Sequence, residues 1–133
     1  MSRILSLNPP FQGLSTIVNV LKCVGPGEVN EAADVRVVQR LIQIAGRTSP
    51  AEVKIFLPSV TGRFDAATGF WIFYVQRMLK GIHPLQIIDG VVSPARGACY
   101  ASNTSWAIVL LNLSARDRNP SEYSAFVSSG GVK

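Results

Sequence analysis

The sequence predicts a mainly helical fold, namely a small three-helix bundle with long loops and an irregular N-terminal lead-in. Apolar residues recur at helical spacing in three segments, and glycine or proline residues separate these segments. The length of 133 residues suits a single domain. Hydrophobic residues make up 47% of the chain and charged residues only 16%, so the chain can bury a core and is not expected to be disordered.

Residues 1–30 are predicted to be the lead-in, because proline and glycine are frequent there and a Val-Gly-Pro-Gly sequence stands at 24–27. The apolar piece 14–21 is rich in β-branched residues, and both a helix and a strand remain open for it. Residues 1–22 lack a convincing signal peptide, because proline, glutamine and glycine interrupt the apolar stretch. A periplasmic or wall location would need another export route, and otherwise the protein is cytoplasmic.

The helical domain is predicted over residues 31–114. Its first helix covers about residues 31–45 and is followed by Gly46, a residue type that commonly ends helices. Spacing of three and four residues defines one buried face. That face comprises Val35, Val38, Ile42 and Ala45. The opposite side carries Arg36, Arg40 and Gln43.

The second helix is predicted over about 66–79, with Asp65 as its N-cap and Gly81 beyond its end. Its residues are apolar on nearly every side, so it is expected to be enclosed by its neighbours as the core of the domain. A third helix is predicted over about 104–113, with an apolar stripe at helical spacing. Residues 115–133 are rich in serine and glycine and are predicted to form a flexible C-terminal tail.

A weak internal repeat relates residues 60–66 to residues 88–94. Each copy contains an apolar residue, a short polar residue, a glycine, two further residues, a helix cap and a helix start. Gly62 and Gly90 are expected to provide the positive φ of a tight turn. Ser93 followed by Pro94 has the residue types of an N-cap and a first helical position, which predicts a helix entry there.

This order of motifs resembles peptidoglycan-binding domains of the three-helix type, and in particular their short stand-alone members. The segment 35–46 is similar to the opening helix of that family, 61–76 to its glycine turn and second helix, and 89–94 to its second turn. The resemblance covers about residues 24–112. Thr61 and Val75 depart from the family pattern, and an insertion separates Pro94 from Thr104.

The resemblance implies a fold of the peptidoglycan-binding-domain type and non-catalytic binding of bacterial peptidoglycan or muropeptide. The protein would then be a cell-wall targeting module for a separate partner, such as a wall hydrolase or a secretion-system component. A net charge of +5 is compatible with an anionic polymer. Neither nucleic acid nor a membrane span is expected. The alternatives are a protein–protein adaptor or inhibitor on the same fold, or a wall-cleaving enzyme.

Ligand contact is predicted near the turns and in the inserted segment, where flat apolar side chains and hydrogen-bond donors occur together. Aromatic rings can stack on sugar faces, and a guanidinium can bind a stem-peptide carboxylate in a bidentate way. Trp106 also fits a core position in the stripe of the third helix. The predicted ligand-binding residues are Arg63, Arg96, Tyr100, Asn103 and Trp106.

A second set of residues is predicted to be structural. A glutamine beside a core face can bond to loop backbone and hold a turn, and short polar residues cap helices and form turns. This set comprises Gln39, Gly62, Asp65, Thr68, Gln76, Asp89 and Gly90.

No catalytic constellation is evident, so no enzyme activity, cofactor or metal is predicted. His83 is the only histidine, and no local nucleophile signature surrounds Cys99. With so few separated ligands, a zinc site is not expected. Cys23 and Cys99 could pair in an oxidising compartment or remain thiols.

Overall fold

A computed structural model describes residues 3–47, 57–81, 88–95, 100–101, 104–105 and 107–132. This described part is mainly helical, but the predicted three-helix bundle is wrong, because it contains four helices and a long antiparallel hairpin. The elements are β1 (Ile4–Phe11), β2 (Leu14–Val18), α1 (Ala32–Gly46), α2 (Ala66–Lys80), β3 (Tyr100–Ala101), β4 (Thr104–Ser105), α3 (Ala107–Arg118) and α4 (Pro120–Ser128).

The N-terminal part of the predicted irregular lead-in is an antiparallel hairpin. Ile4 of β1 lies opposite Val18 of β2, and the register becomes irregular towards the turn. Gln12 and Gly13 form this turn with φ values of 48° and 80°, as two-residue hairpin turns require. The undecided segment 14–21 therefore contains a strand, whose inward-facing residues join the core.

Helix α1 starts beside the hairpin and is joined to it through Asp34. This carboxylate is only 1% exposed, and it accepts hydrogen bonds from the backbone N–H groups of Leu21 (2.8 Å) and Lys22 (3.1 Å). Arg3 forms an ion pair with it. A buried carboxylate is tolerated only when it is paired and hydrogen-bonded in this way, so Asp34 fixes the path of the chain from β2 into α1.

The predicted flexible tail is instead helical. Pro120 occupies the first turn of α4, where its missing N–H has no consequence. Tyr123 and Phe126, three residues apart, are buried, and α4 packs on α3. Glu122 accepts hydrogen bonds from Arg40, at 3.3 Å, and from Arg47, which tie α4 to α1.

The third helix also begins later than predicted. Residues 104–105 belong to the short strand β4, and α3 extends from Ala107 to Arg118. Most of α3 is buried, and it packs more extensively against α1 than against any other helix. The centre of the core is therefore the α1–α3 contact.

Helix α2 is not the fully enclosed helix that its composition predicts. Trp71, Ile72 and Val75 are buried, but Phe70 and Phe73 are 42% and 41% exposed. One face of α2 is therefore buried and the other exposed, although apolar side chains occur on both. The Phe70 and Tyr74 rings lie 6.1 Å apart in nearly parallel planes on its outer side.

Asn112 of α3 joins the hairpin to α4. Its Oδ1 accepts hydrogen bonds from the Val18 N–H (2.9 Å) and the Tyr123 hydroxyl (2.7 Å), and its Nδ2 donates to the carbonyls of Val18 (2.9 Å) and Ile108 (2.8 Å). Burial raises the pKa of the Tyr123 phenol above its ordinary value, so the hydroxyl keeps its proton and remains a donor. One fully buried amide thus connects three elements.

We expect Asn112→Ala to lower the free energy of unfolding by about 3 to 5 kcal/mol, because several buried polar groups lose their partner together. Tyr123→Phe is the matched control. It removes one hydroxyl and leaves both bonds between Asn112 and Val18, so we expect a loss of about 1 kcal/mol. Urea denaturation of the three proteins measures the difference, and equal losses for the two variants would contradict the connecting role of Asn112.

Candidate functional site

The first glycine turn, residues 61–63, is held by Gln39 of α1. Its Oε1 accepts hydrogen bonds from the N–H groups of Thr61 (2.9 Å) and Gly62 (3.0 Å), and its Nε2 donates to the Arg63 carbonyl (3.0 Å). The Thr61 hydroxyl accepts from the Arg63 N–H at 3.1 Å. The oxygen and the nitrogen of one buried amide therefore both bond to the turn and together fix its three successive residues.

The second glycine turn repeats this arrangement with Gln76 of α2. Its Oε1 accepts from the Gly90 N–H (2.9 Å), and its Nε2 donates to the Val91 carbonyl and to Asp89 Oδ1, both at 3.2 Å. Asp89 accepts from the Val91 N–H at 2.9 Å, as Thr61 does from Arg63. The internal sequence repeat thus corresponds to two equivalent turns, each held by a glutamine of the preceding helix.

Glycine is required in both turns. Gly62 and Gly90 have φ values of 81° and 74°, a region that costs other residues about 1–2 kcal/mol. A Cβ on Gly62 would stand 3.2 Å from the Ala32 carbonyl oxygen, and one on Gly90 would stand 2.7 Å from the Phe73 ring. The turns therefore pack closely against α1 and α2.

The first turn continues into α2 through a capped helix start. Asp65 Oδ1 accepts hydrogen bonds from the Thr68 N–H (2.9 Å) and hydroxyl (2.5 Å), and the Thr68 hydroxyl also accepts from Gln39 Nε2 (3.0 Å). Partial burial acts to raise the pKa of Asp65, but these hydrogen bonds and the nearby charge of Arg63 outweigh it, so the pKa lies below its ordinary value. The helix cap and the glutamine contact form one network.

The second turn does not continue into a helix at Ser93 and Pro94, and this prediction is wrong. Val92 instead forms an antiparallel bridge with Val24, with N···O distances of 2.8 and 3.0 Å. The Asn19 side chain then donates to and accepts from the backbone of Ala95. Backbone pairing with the lead-in therefore replaces the helix entry.

Two arginine side chains lie at the first turn. The Arg36 guanidinium lies over Gly62, where a Cβ would stand 3.1 Å from Arg36 Cζ, and the exposed Arg63 is part of the turn. Neither side chain belongs to an ion pair with another residue of the described ranges. The first turn therefore presents two positive groups whose donors are not taken up by other residues of the described ranges. We call Arg36 and Arg63 the arginine pair.

Among the predicted ligand-binding residues, the structure describes the surroundings of Arg63 alone. Arg96, Asn103 and Trp106 lie outside the described residues. Tyr100 is described in its backbone, which pairs with Ser105 in the β3–β4 ladder. Sequence reasoning placed Arg36 only on the outer side of the first helix, and its approach to the turn depends on tertiary packing.

The described residues contain no group of three or more His, Cys, Asp or Glu side chains placed to hold a metal ion. His83 and Cys99 lie outside these ranges. Cys23 is a free thiol, 3.7 Å from the Ser93 hydroxyl. None of the helices in the described part of the chain has the length and apolar character of a membrane span.

Comparison of the chain with protein-family models, curated proteins and solved structures gave no significant match.

We expect Gln39→Leu to lower the free energy of unfolding by about 2 to 4 kcal/mol, because the N–H groups of Thr61 and Gly62 lose their acceptor. Gln43→Leu on the same helix is the matched control. Gln43 donates one bond, to the Pro58 carbonyl at 3.0 Å, so we expect a loss of at most about 1 kcal/mol. Chemical denaturation compares the two, and a Gln39→Leu protein as stable as Gln43→Leu would contradict the clamping role.

Proposed function

We propose that the protein is a non-catalytic module that binds bacterial peptidoglycan or muropeptide. The observation that carries the proposal is the arginine pair on a turn whose backbone is held by Gln39. Stem peptides of peptidoglycan carry carboxylates, and a guanidinium binds a carboxylate through two parallel hydrogen bonds. Two such groups at one turn suit a polymer that repeats its carboxylates.

The rigidity of the turn supports this proposal. A loop that is already ordered loses little conformational entropy when a ligand binds, so weak polar contacts can yield measurable affinity. The net charge of +5 adds a general attraction to an anionic polymer. The resemblance of segments 35–46, 61–76 and 89–94 to peptidoglycan-binding domains also supports the proposal.

Binding without catalysis would serve a separate partner. A module of this kind raises the local concentration of a wall hydrolase, or of a secretion-system component, at its substrate. In addition to the arginine pair, the proposed ligand contacts remain Arg96, Tyr100, Asn103 and Trp106.

A protein–protein adaptor or inhibitor is the second candidate, and the outer face of α2 favours it. Phe70, Phe73 and Met78 expose 42%, 41% and 38% of their surface along one helix. Exposed aromatic and methionine side chains are enriched at protein interfaces. This reading predicts that the chain is not retained by purified wall material.

The test is retention on purified insoluble peptidoglycan. We expect the wild-type chain to sediment with the wall, and Arg36→Gln/Arg63→Gln to lose about tenfold or more in affinity, as removal of charge-assisted hydrogen bonds predicts. Lys22→Gln/Arg77→Gln is the matched control, because it removes the same charge from exposed side chains elsewhere and should retain most of the binding. Arg96→Ala/Tyr100→Ala tests the inserted segment in the same assay.

Equal losses in the two charge-matched variants would contradict a specific site and indicate general electrostatics. Absence of wild-type retention would overturn the proposal in favour of the adaptor. Release of soluble muropeptides during the incubation would identify a wall-cleaving enzyme, and Cys99→Ala would then test the thiol. Thermal unfolding of each variant shows whether the fold is intact.

A further inference from the structure

A groove of about 270 Å³ opens between the hairpin turn and helix α4. The residues that line it come from the hairpin around Gly13, from Arg116 near the end of α3, and from one side of α4. Ligand pockets in proteins usually range from about 300 to 1,000 Å³. The groove is therefore slightly smaller than most such pockets, a size that suits about one sugar ring.

Hydroxyl groups are the first chemical feature of this groove. They belong to Ser124 and Ser128 of α4 and to Ser15 and Thr16 of β2, and of the latter two only one can face the groove, because successive side chains of a strand point to opposite faces. Within the ranges that the structure describes, none of these four side chains makes a hydrogen bond. Each hydroxyl can donate one hydrogen bond and accept two. The lining therefore has unused capacity for a ligand that itself carries several hydroxyl groups.

Arg116 contributes a guanidinium, which forms an ion pair with Asp117. Its Nε and Nη2 donate to Asp117 Oδ1 at 2.9 and 2.7 Å, and Nη2 also donates to the Gln12 carbonyl at 3.1 Å. Its Nη1 makes no such bond and lies beside Gly13, 3.5 Å from where a Cβ would stand. Asp117 and Gln12 thus hold the guanidinium in place while Nη1 remains available to an acceptor. Among the described residues that line the groove none is acidic.

An apolar wall completes the groove. Tyr123 and Val127 line it from α4, and the Tyr123 hydroxyl is turned away into its bond with Asn112. A sugar ring has one polar edge and one face of C–H groups, so it can meet hydroxyls on one side and an aromatic or aliphatic surface on the other. A carboxylate on that ring would find a donor in Arg116.

We infer that this groove binds an acidic monosaccharide. The carboxylate accepts from Arg116 Nη1, the ring hydroxyls exchange hydrogen bonds with the serine and threonine side chains, and the C–H face packs on Tyr123 and Val127. The groove contains neither residue of the arginine pair, so sugar binding there does not depend on the proposed function. Acidic sugars include the muramic acid of bacterial wall and the uronic acids, and the choice of probe separates these two sources.

The test is a titration of the isotope-labelled full chain, followed by amide NMR shifts. The probes are N-acetylmuramic acid and D-glucuronic acid, with N-acetylglucosamine as the matched sugar that lacks the lactyl carboxylate. We expect at least one acid to shift the amides of Ser15, Thr16, Ser124 and Ser128, and to bind about tenfold more tightly than N-acetylglucosamine. A response to muramic acid alone indicates a wall sugar, and a response to both acids indicates recognition of the carboxylate in general.

Two variants make the result specific. Arg116→Gln should remove the preference for the acids over N-acetylglucosamine. Ser124→Leu should block the groove, whereas Ser121→Leu, at an exposed position of α4 outside the lining, should not. Absence of shifts at the groove, or acids that bind no better than N-acetylglucosamine, would overturn the inference. Retention on insoluble wall depends on other side chains, so either proposal can fail without the other.

Discussion

Buried side-chain amides hold the irregular backbone of this protein in place. Gln39 and Gln76 each fix a glycine turn, Asn112 fixes the end of β2, and Asn19 fixes Ala95. All four are buried. An amide offers both a donor and an acceptor, so one side chain can satisfy the N–H and C=O groups of a segment that lacks a strand partner. An unsatisfied buried polar group costs about 1–3 kcal/mol, so each of these segments would be destabilised if it moved away from its amide.

The bonds from the glutamines determine which side chains the two turns can present to solvent. Each turn is fixed through its backbone and needs no bulky side chains of its own, and its close packing on the helices admits only glycine at its centre. The flanking position is then open to a functional side chain, which is Arg63 in the first turn and Val91 in the second. The same glutamine contact therefore supports a charged surface at the first turn. The second turn continues into the bridge of Val92 with Val24 and so packs against the lead-in.

Much of the helical part could be predicted from sequence, since α1 and α2 lie within about one residue of their predicted limits. The internal repeat of residues 60–66 and 88–94, with its two glycines, indicated the two turns. The hairpin could not, because Pro9 and Pro10 within β1 conceal a strand whose pairing is set by tertiary contact. Helix α4 was concealed by its serine content, although Tyr123 and Phe126 provide an apolar pair at helical spacing. The exposed face of α2 shows that composition alone does not reveal which side of an apolar helix is covered.

Of the candidate site, Arg63 could be recognised by its place in the turn, but the approach of Arg36 to Gly62 and the groove beside Arg116 depend on elements distant in sequence.

Native-state amide hydrogen exchange tests the amide-held turns most directly. The N–H groups of Gly62 and Gly90 lie in loops, but each is buried and donates to a glutamine oxygen, at 3.0 and 2.9 Å respectively. We expect both to exchange slowly, with protection close to that of the neighbouring helices. Gly27 is the internal reference, since it also has a positive φ but is exposed and has no atom within 4 Å of its Cβ position. Exchange of Gly62 and Gly90 as fast as that of Gly27 would show that the glutamines do not hold the turns and would contradict this account.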